Sequence, residues 1–148
     1  MLMEAAVEAI DAFADVEGAQ QLIDWLGFVP SFHDAELLDI ELFSNRSGRL
    51  RLHAFRMTDK VDDKGYFILD RHVLVTVTLE EVRAISLDYF DLTGTISQLH
   101  ILRAGKRFRV EWQSSYGVHG DIVAKNVRID FEAWRPDFAI SAATASRV

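Results

Sequence analysis

ELLDIELFSNRSGRLRLHA, residues 36–54, alternates apolar and polar side chains, breaks for a turn, and alternates again. Leu38, Ile40 and Leu42 share one parity, with Asp39 and Glu41 between them. Leu50, Leu52 and Ala54 then alternate with Arg51 and His53. A period of two marks a strand with one buried face, and Ser44–Gly48 has the composition of a turn. Setting Leu42 against Leu50, Ile40 against Leu52 and Leu38 against Ala54 puts all six on one surface. The same register sets Glu41 against Arg51 and Asp39 against His53, so both faces agree on one hairpin.

Upstream, residues 3–26 read as helical. Val7, Ile10 and Phe13 recur at helical spacing, and so do Ala19, Leu22, Ile23 and Leu26. Gly18 divides them, giving one helix or a short pair, with Gly27 as the C-terminal cap and Pro30 preventing continuation. Downstream, Asp59–Gly65 is a charged loop, and His72–Leu79 and Ala84–Phe90 are two alternating strands. A second hairpin turns at Arg103–Lys106, where Leu99 and Ile101 oppose Val110 and Phe108 and Trp112 continues the face. In the last strand Ile122 and Ala124 have one parity and Val127, Ile129 and Phe131 the other, which predicts a β-bulge near Lys125 and Asn126. The pattern predicts an α+β fold, in which the N-terminal helix or helix pair packs on one face of a mainly antiparallel, roughly seven-stranded sheet. Residues 1–134 form its single domain, and 135–148 form a frayed tail poor in large apolar groups.

The bulk properties narrow the function. With 148 residues, 49% apolar and 26% charged, the chain has the composition of one globular domain. It has no cysteine, which removes disulfides, thiolate metal sites and a thiol nucleophile and fits a reducing cytosol. No apolar run reaches the roughly 20 residues of a membrane helix. The net charge of −7 disfavours nucleic acid and favours a basic protein partner.

Four polar clusters carry side chains capable of chemistry. His33, Asp34 and Glu36 stand where helix gives way to sheet, but adjacent residues on an extended chain point apart, and the HExxH zinc signature is missing. Ser31, His33 and Asp34 are therefore read as hydrogen-bonding loose backbone at the corner. His53 is assigned to Asp39, and His100 to the polar side of the second hairpin near Arg109. Ser114–Asp121 is a glycine-containing loop carrying Tyr116, His119 and Asp121, a plausible contact surface. There is no nucleophile elbow and no phosphate loop. No catalytic residue, metal ligand or cofactor is assigned.

PSFHDAELLDIEL resembles the entry motif of the Immunity protein 50 family, with Pro30, Ser31, Phe32, His33, Asp34, Ala35 and Glu36 matching it and Leu38, Ile40 and Leu42 following. VTVTLEEVRAISLDYF is similar to the paired middle strands of that family, and YGVHGDIVAKNVRID to its Tyr-Gly loop and last strand. FDLTGTISQL departs from the amide-rich segment of many relatives. The resemblance implies a cytoplasmic immunity protein of a bacterial polymorphic toxin system, which binds and blocks a cognate toxin domain and performs no reaction. Its contact surface is expected at Tyr116, His119 and Asp121, or on the wet sheet face with Asp39 and Glu41. The alternatives are a small metal or ligand protein using His33, Asp34 and Glu36, and a self-associating module, a homodimer, pairing through an uncovered sheet edge.

Overall fold

The computed structural model describes residues 10–90, 94–115 and 117–138. Its order is β1 (Ile10–Asp11), a 3-10 turn (Phe13–Asp15), α1 (Ala19–Leu26), β2 (Glu36–Leu42), β3 (Gly48–Val61), β4 (Phe67–Asp88), β5 (Gly94–Ala104), β6 (Arg107–Ser114) and β7 (His119–Ala133).

Among the described residues the expected N-terminal helix or helix pair covering one face of a roughly seven-stranded sheet is not found, and residues 3–9 of that helical reading lie outside them. Six long antiparallel strands dominate, joined by a two-residue β1 and one eight-residue helix. The predicted His72–Leu79 and Ala84–Phe90 strands belong to one strand, β4. Two meanders, β2-β3-β4 and β5-β6-β7, join edge to edge: β4 pairs with β7, and β5 pairs with both β6 and β2. The sheet thereby curls onto itself, and its own opposite wall covers the inner face that helices were expected to cover.

That interior takes the alternating apolar residues. Leu50, Leu52, Val73, Val75, Val77, Leu79, Ile101, Val110 and Ile122 are all inaccessible to water, each burial stabilising by roughly 1.5–3 kcal/mol. Leu22 and Leu26 of α1 join the same core, with Phe13, Val16 and Phe32. The helix is short because its ends are fixed by contacts. Gly18 (φ +86°) lies so close to β7 that a Cβ there would stand 1.9 Å from the Ile129 carbonyl oxygen. Gly27 (φ +93°) ends the helix by donating its N–H to the Ile23 carbonyl at 2.7 Å.

Leu50, Leu52 and Ala54 of the first hairpin and Leu99, Ile101, Val110 and Trp112 of the second lie inside as expected, but Leu38 and Leu42 do not, and each register is displaced. In the first, Leu42 faces Gly48, Glu41 faces Arg49, Ile40 faces Leu50 and Asp39 faces Arg51. The register then slips at Leu38, so Leu37 opposes Leu52 and Glu36 opposes His53. In the second, Leu99 faces Trp112 and Ile101 faces Val110 across a turn at Gly105 and Lys106. The parity switch read at Lys125 and Asn126 is present, with Ala124 and Val127 both buried, but the extra residue belongs to β4, between Val82 and Ala84.

Two peripheral segments also differ from expectation. The charged loop shrinks to a turn after Val61, because β3 and β4 run on as a protruding ribbon. Of the tail, Phe138 packs against the sheet, buried with Leu38 and Leu74 beside Trp134. Residues 139–148 lie outside the described part.

Candidate functional site: a polar hollow on the outer sheet face

The corner from Ser31 to Glu36 closes the sheet. Beyond the β2–β5 pairs Glu36–Thr95 and Leu37–Gly94, the free edge of β5 needs partners. Asp34 donates its N–H to the Ile96 carbonyl at 2.8 Å, Ile96 donates to the Ala35 carbonyl at 2.7 Å, and Leu99 donates to the Ser31 carbonyl at 2.9 Å. Phe32 and Asp34 adopt φ of +60° and +66°, which turns the backbone toward β5. Phe32 fills the core and meets Phe13 edge-on. His33 joins through Nδ1, 2.9 Å from the Ser97 carbonyl oxygen.

These groups do not converge on a ligand. The His33 and Asp34 side chains are 65% and 44% exposed and 3.5 Å apart. Glu36 points instead toward His53, 3.9 Å away. Among the described residues no three His, Asp or Glu side chains are placed to grip one metal ion.

Asp39 and Glu41 are occupied as well. Arg51 donates to both carboxylate oxygens of Asp39, and Arg49 donates Nε to Glu41 at 2.9 Å. The bond to Asp39 holds the Arg51 guanidinium above its ordinary pKa, against the opposing effect of burial. The pairing of Asp39 with His53 is therefore corrected: the register gives Asp39 to Arg51 and frees His53. His53 stacks on Trp134, with centroids 3.7 Å apart, and meets His72 at 3.0 Å. Burial, and then the charge of His72, lower its pKa.

A different constellation forms a hollow of about 230 Å³. The pairs His100–Glu111, Glu111–Asp121 and Ser86–Asp121 run as one row across β5, β6, β7 and β4. Leu99, Val110 and Ile122, their chain neighbours, point inward, so the row points out. Gln98, Gln113, Asp88 and His119 flank it. His119, opposite Asp88, meets the Tyr89 ring edge-on at 5.2 Å. Tyr116 lies outside the described residues.

The row has an unusual electrostatic feature. Glu111 and Asp121 stand directly opposite on neighbouring strands, where like charges repel. Among the described residues no ion pair joins either one. An incoming guanidinium or ammonium would relieve that repulsion.

The sequence pattern marks His119 and Asp121 but does not mark Asp88, His100 and Glu111 as their companions. The expected place of His100, on the polar side of the second hairpin near Arg109, holds, but its direct partner is Glu111, and Arg109 faces Leu102 two positions along. The outward parity of the three was legible. Their alignment depended on the register of three strand pairs.

No family model and no curated protein matches the chain. A crystal structure of an uncharacterized protein from Neisseria gonorrhoeae is similar to it at 14% identity, over 70% of this chain and 94% of its own, with a TM-score of 0.44.

Proposed function

We propose that the chain is a non-enzymatic neutralising protein of the cytoplasm, which binds a basic toxin domain and blocks it. The carrying observation is the opposed Glu111–Asp121 pair, set in a hollow with Asp88, His100 and His119. A basic side chain entering there meets two carboxylates, with imidazole and amide groups around it to fix its orientation. The net charge of −7 steers such a partner from a distance. The likeness of Pro30–Glu36 to the Immunity protein 50 entry motif supports the same reading. A block of this kind needs about 1,200–2,000 Å² of buried surface, so the hollow is its anchor rather than its whole extent.

Co-expression with the toxin domain encoded beside this gene tests it. Growth is rescued and a complex co-purifies with the wild type, but neither occurs with the double variant Glu111→Lys, Asp121→Lys, while Asp39→Ala behaves as wild type. A wild-type chain that neither rescues nor binds rejects the reading. Rescue that survives the double reversal rejects the hollow as its anchor.

Self-association is a second reading with an observation of its own. The β3–β4 ribbon exposes Met57, Val61 and Phe67 by 48%, 57% and 55%. Pairing to β2 stops at His53, and pairing of β7 to β4 begins only at Val73. Exposed ribbon edges are templates for another strand. A monomeric mass by light scattering at high concentration rejects this reading.

A further inference from the structure

At the other end of the same outer face the charge reverses. Arg46, Arg83, Arg107 and Lys125 line a cavity of about 370 Å³, with Glu81 the one carboxylate among its described lining residues. The strand registers explain the gathering. One step beyond the β6–β7 pair Phe108–Ala124, Arg107 comes beside Lys125. One step from the β4–β7 pair Glu80–Asn126, Lys125 meets Glu81, at 3.9 Å. The β4 register slip then places Arg83, and the β2–β3 turn brings Arg46 over the strand, its carbonyl accepting the Val82 N–H at 2.7 Å.

This end of the sheet departs from regular geometry. Arg46 and Glu81 both hold positive φ, +68° and +53°, which non-glycine residues rarely adopt. Bulges and such conformations re-aim side chains and gather at binding sites. Among the described residues Arg46, Arg83 and Arg107 have no carboxylate within ion-pair distance. Three unpaired guanidinium groups thus crowd one cavity on a chain whose net charge is −7.

A second cavity, of about 240 Å³, adjoins the first and shares Arg46, Val82 and Arg83 with it. Its other walls are largely apolar, and Leu42, Phe43 and Ile85 there are 43%, 50% and 45% exposed. An inorganic anion would use the cationic cavity and leave the apolar one wet. A neutral hydrocarbon would do the reverse.

We infer that the paired cavities form a binding site for a small amphiphilic anion: a short apolar chain or ring bearing a phosphate or carboxylate head. The head lies among Arg83, Arg107 and Lys125, where guanidinium groups offer forked donors to its oxygens. The apolar body lies against Phe43 and Ile85. Charge complementarity fixes the sign of the ligand, and the adjoining apolar wall fixes its shape. The site is independent of the acidic hollow, since a basic toxin surface would be repelled from it.

Titration of the full chain with octyl phosphate, octanoate, inorganic phosphate and octanol, followed by amide chemical shifts, tests the site. Octyl phosphate or octanoate gives saturable shifts at Arg46, Val82, Ile85 and Lys125, at least tenfold tighter than inorganic phosphate or octanol. Which of the two binds more tightly identifies the head group. The double variant Arg83→Glu, Arg107→Glu weakens that binding at least tenfold with the melting temperature retained, and Ile85→Ser weakens the octyl ligands but not inorganic phosphate. No saturable shift at these amides, equal affinity for all four probes, or a charge-reversed chain that binds as wild type overturns the inference. Should the double variant not fold, Arg83→Gln alone decides: a loss of threefold or more supports the site, and an unchanged affinity overturns it.

Discussion

His53 Nε2 lies 3.0 Å from His72 Nδ1, so two imidazoles on adjacent strands are joined by one hydrogen bond, while Trp134 stacks flat on the first ring. In the neutral pair one ring donates and the other accepts. A proton on each leaves two donors facing one another.

Stability is therefore expected to fall on acidification. The pKa of His53 in the fold lies below its ordinary value of 6.5, through burial first and the charge of His72 second. The unfolded chain thus takes up this proton at a higher pH than the folded one. The stabilisation is complete above pH 6.5 and is lost as the pH falls through the lowered value. Glu36, 3.9 Å from the His53 Nδ1 atom, opposes the shift, but its side chain is 60% exposed and screened. Melting temperatures from pH 8 to pH 5 should decline less in His53→Phe, which keeps a ring on Trp134 but cannot titrate. Identical slopes would contradict this.

The corner at Ser31–Glu36 should depend more on Phe32 than on His33. His33→Ala removes one hydrogen bond from a side chain that is 65% exposed, a loss of about 1 kcal/mol or less. Phe32→Ala empties a core position only 4% exposed, and should cost about 3–5 kcal/mol. Urea denaturation of both variants checks the order.

Two glycines with similar φ should respond differently to alanine. At Gly27 a Cβ meets nothing within 4 Å, leaving the left-handed backbone penalty of about 1–2 kcal/mol. At Gly18 the new atom collides with the Ile129 carbonyl oxygen. Displacing that strand should bring the loss to roughly 2–5 kcal/mol. Equal unfolding midpoints for the two variants would show that β7 yields without effort.

Glu111→Gln should stabilise the isolated protein. It removes one of two like charges facing each other across β6 and β7, for a gain of roughly 0.2–1 kcal/mol at low ionic strength. The gain should shrink as salt is added. A neutral or destabilising effect in low salt would mean that the pair is not repulsive.

The alternation in β3 and β4 is sufficient to identify the buried faces, since Leu50, Leu52, Val73, Val75 and Val77 all turn inward. Register was not legible in the same way. The apolar pattern makes Leu38 a core partner of Ala54, but the slip beside it sends it to the outer face with Leu74 and Phe138. Moving a hairpin by two residues keeps every apolar side chain inside, so the apolar pattern alone cannot choose between those registers. The lengths of the turns choose: Phe43–Ser47 separates Leu42 from Gly48, and Gly105–Lys106 separates Ala104 from Arg107. Both the Asp39–Arg51 pairing and the row from His100 to Ser86 depend on that choice.

The N-terminal segment separates local from distant causes. Helical composition was spread over residues 3–26, and within the described part only Ala19–Leu26 is α-helical. Gly18 must pass close to Ile129, and Ala12 donates its N–H to the Ile101 carbonyl at 2.9 Å. Contacts with distant strands override the local preference.

Hydropathy read along the chain assigns residues to water or to the interior, because burial of an apolar side chain depends mainly on its own surface and that of its near neighbours. Which outward groups become neighbours is a matter of strands far apart in the chain. Glu111 beside Asp121, Arg107 beside Lys125 and His33 against Ser97 all follow from turn lengths, a bulge and the closure of the sheet. Those pairings came into being with the folded register, and the candidate sites came with them.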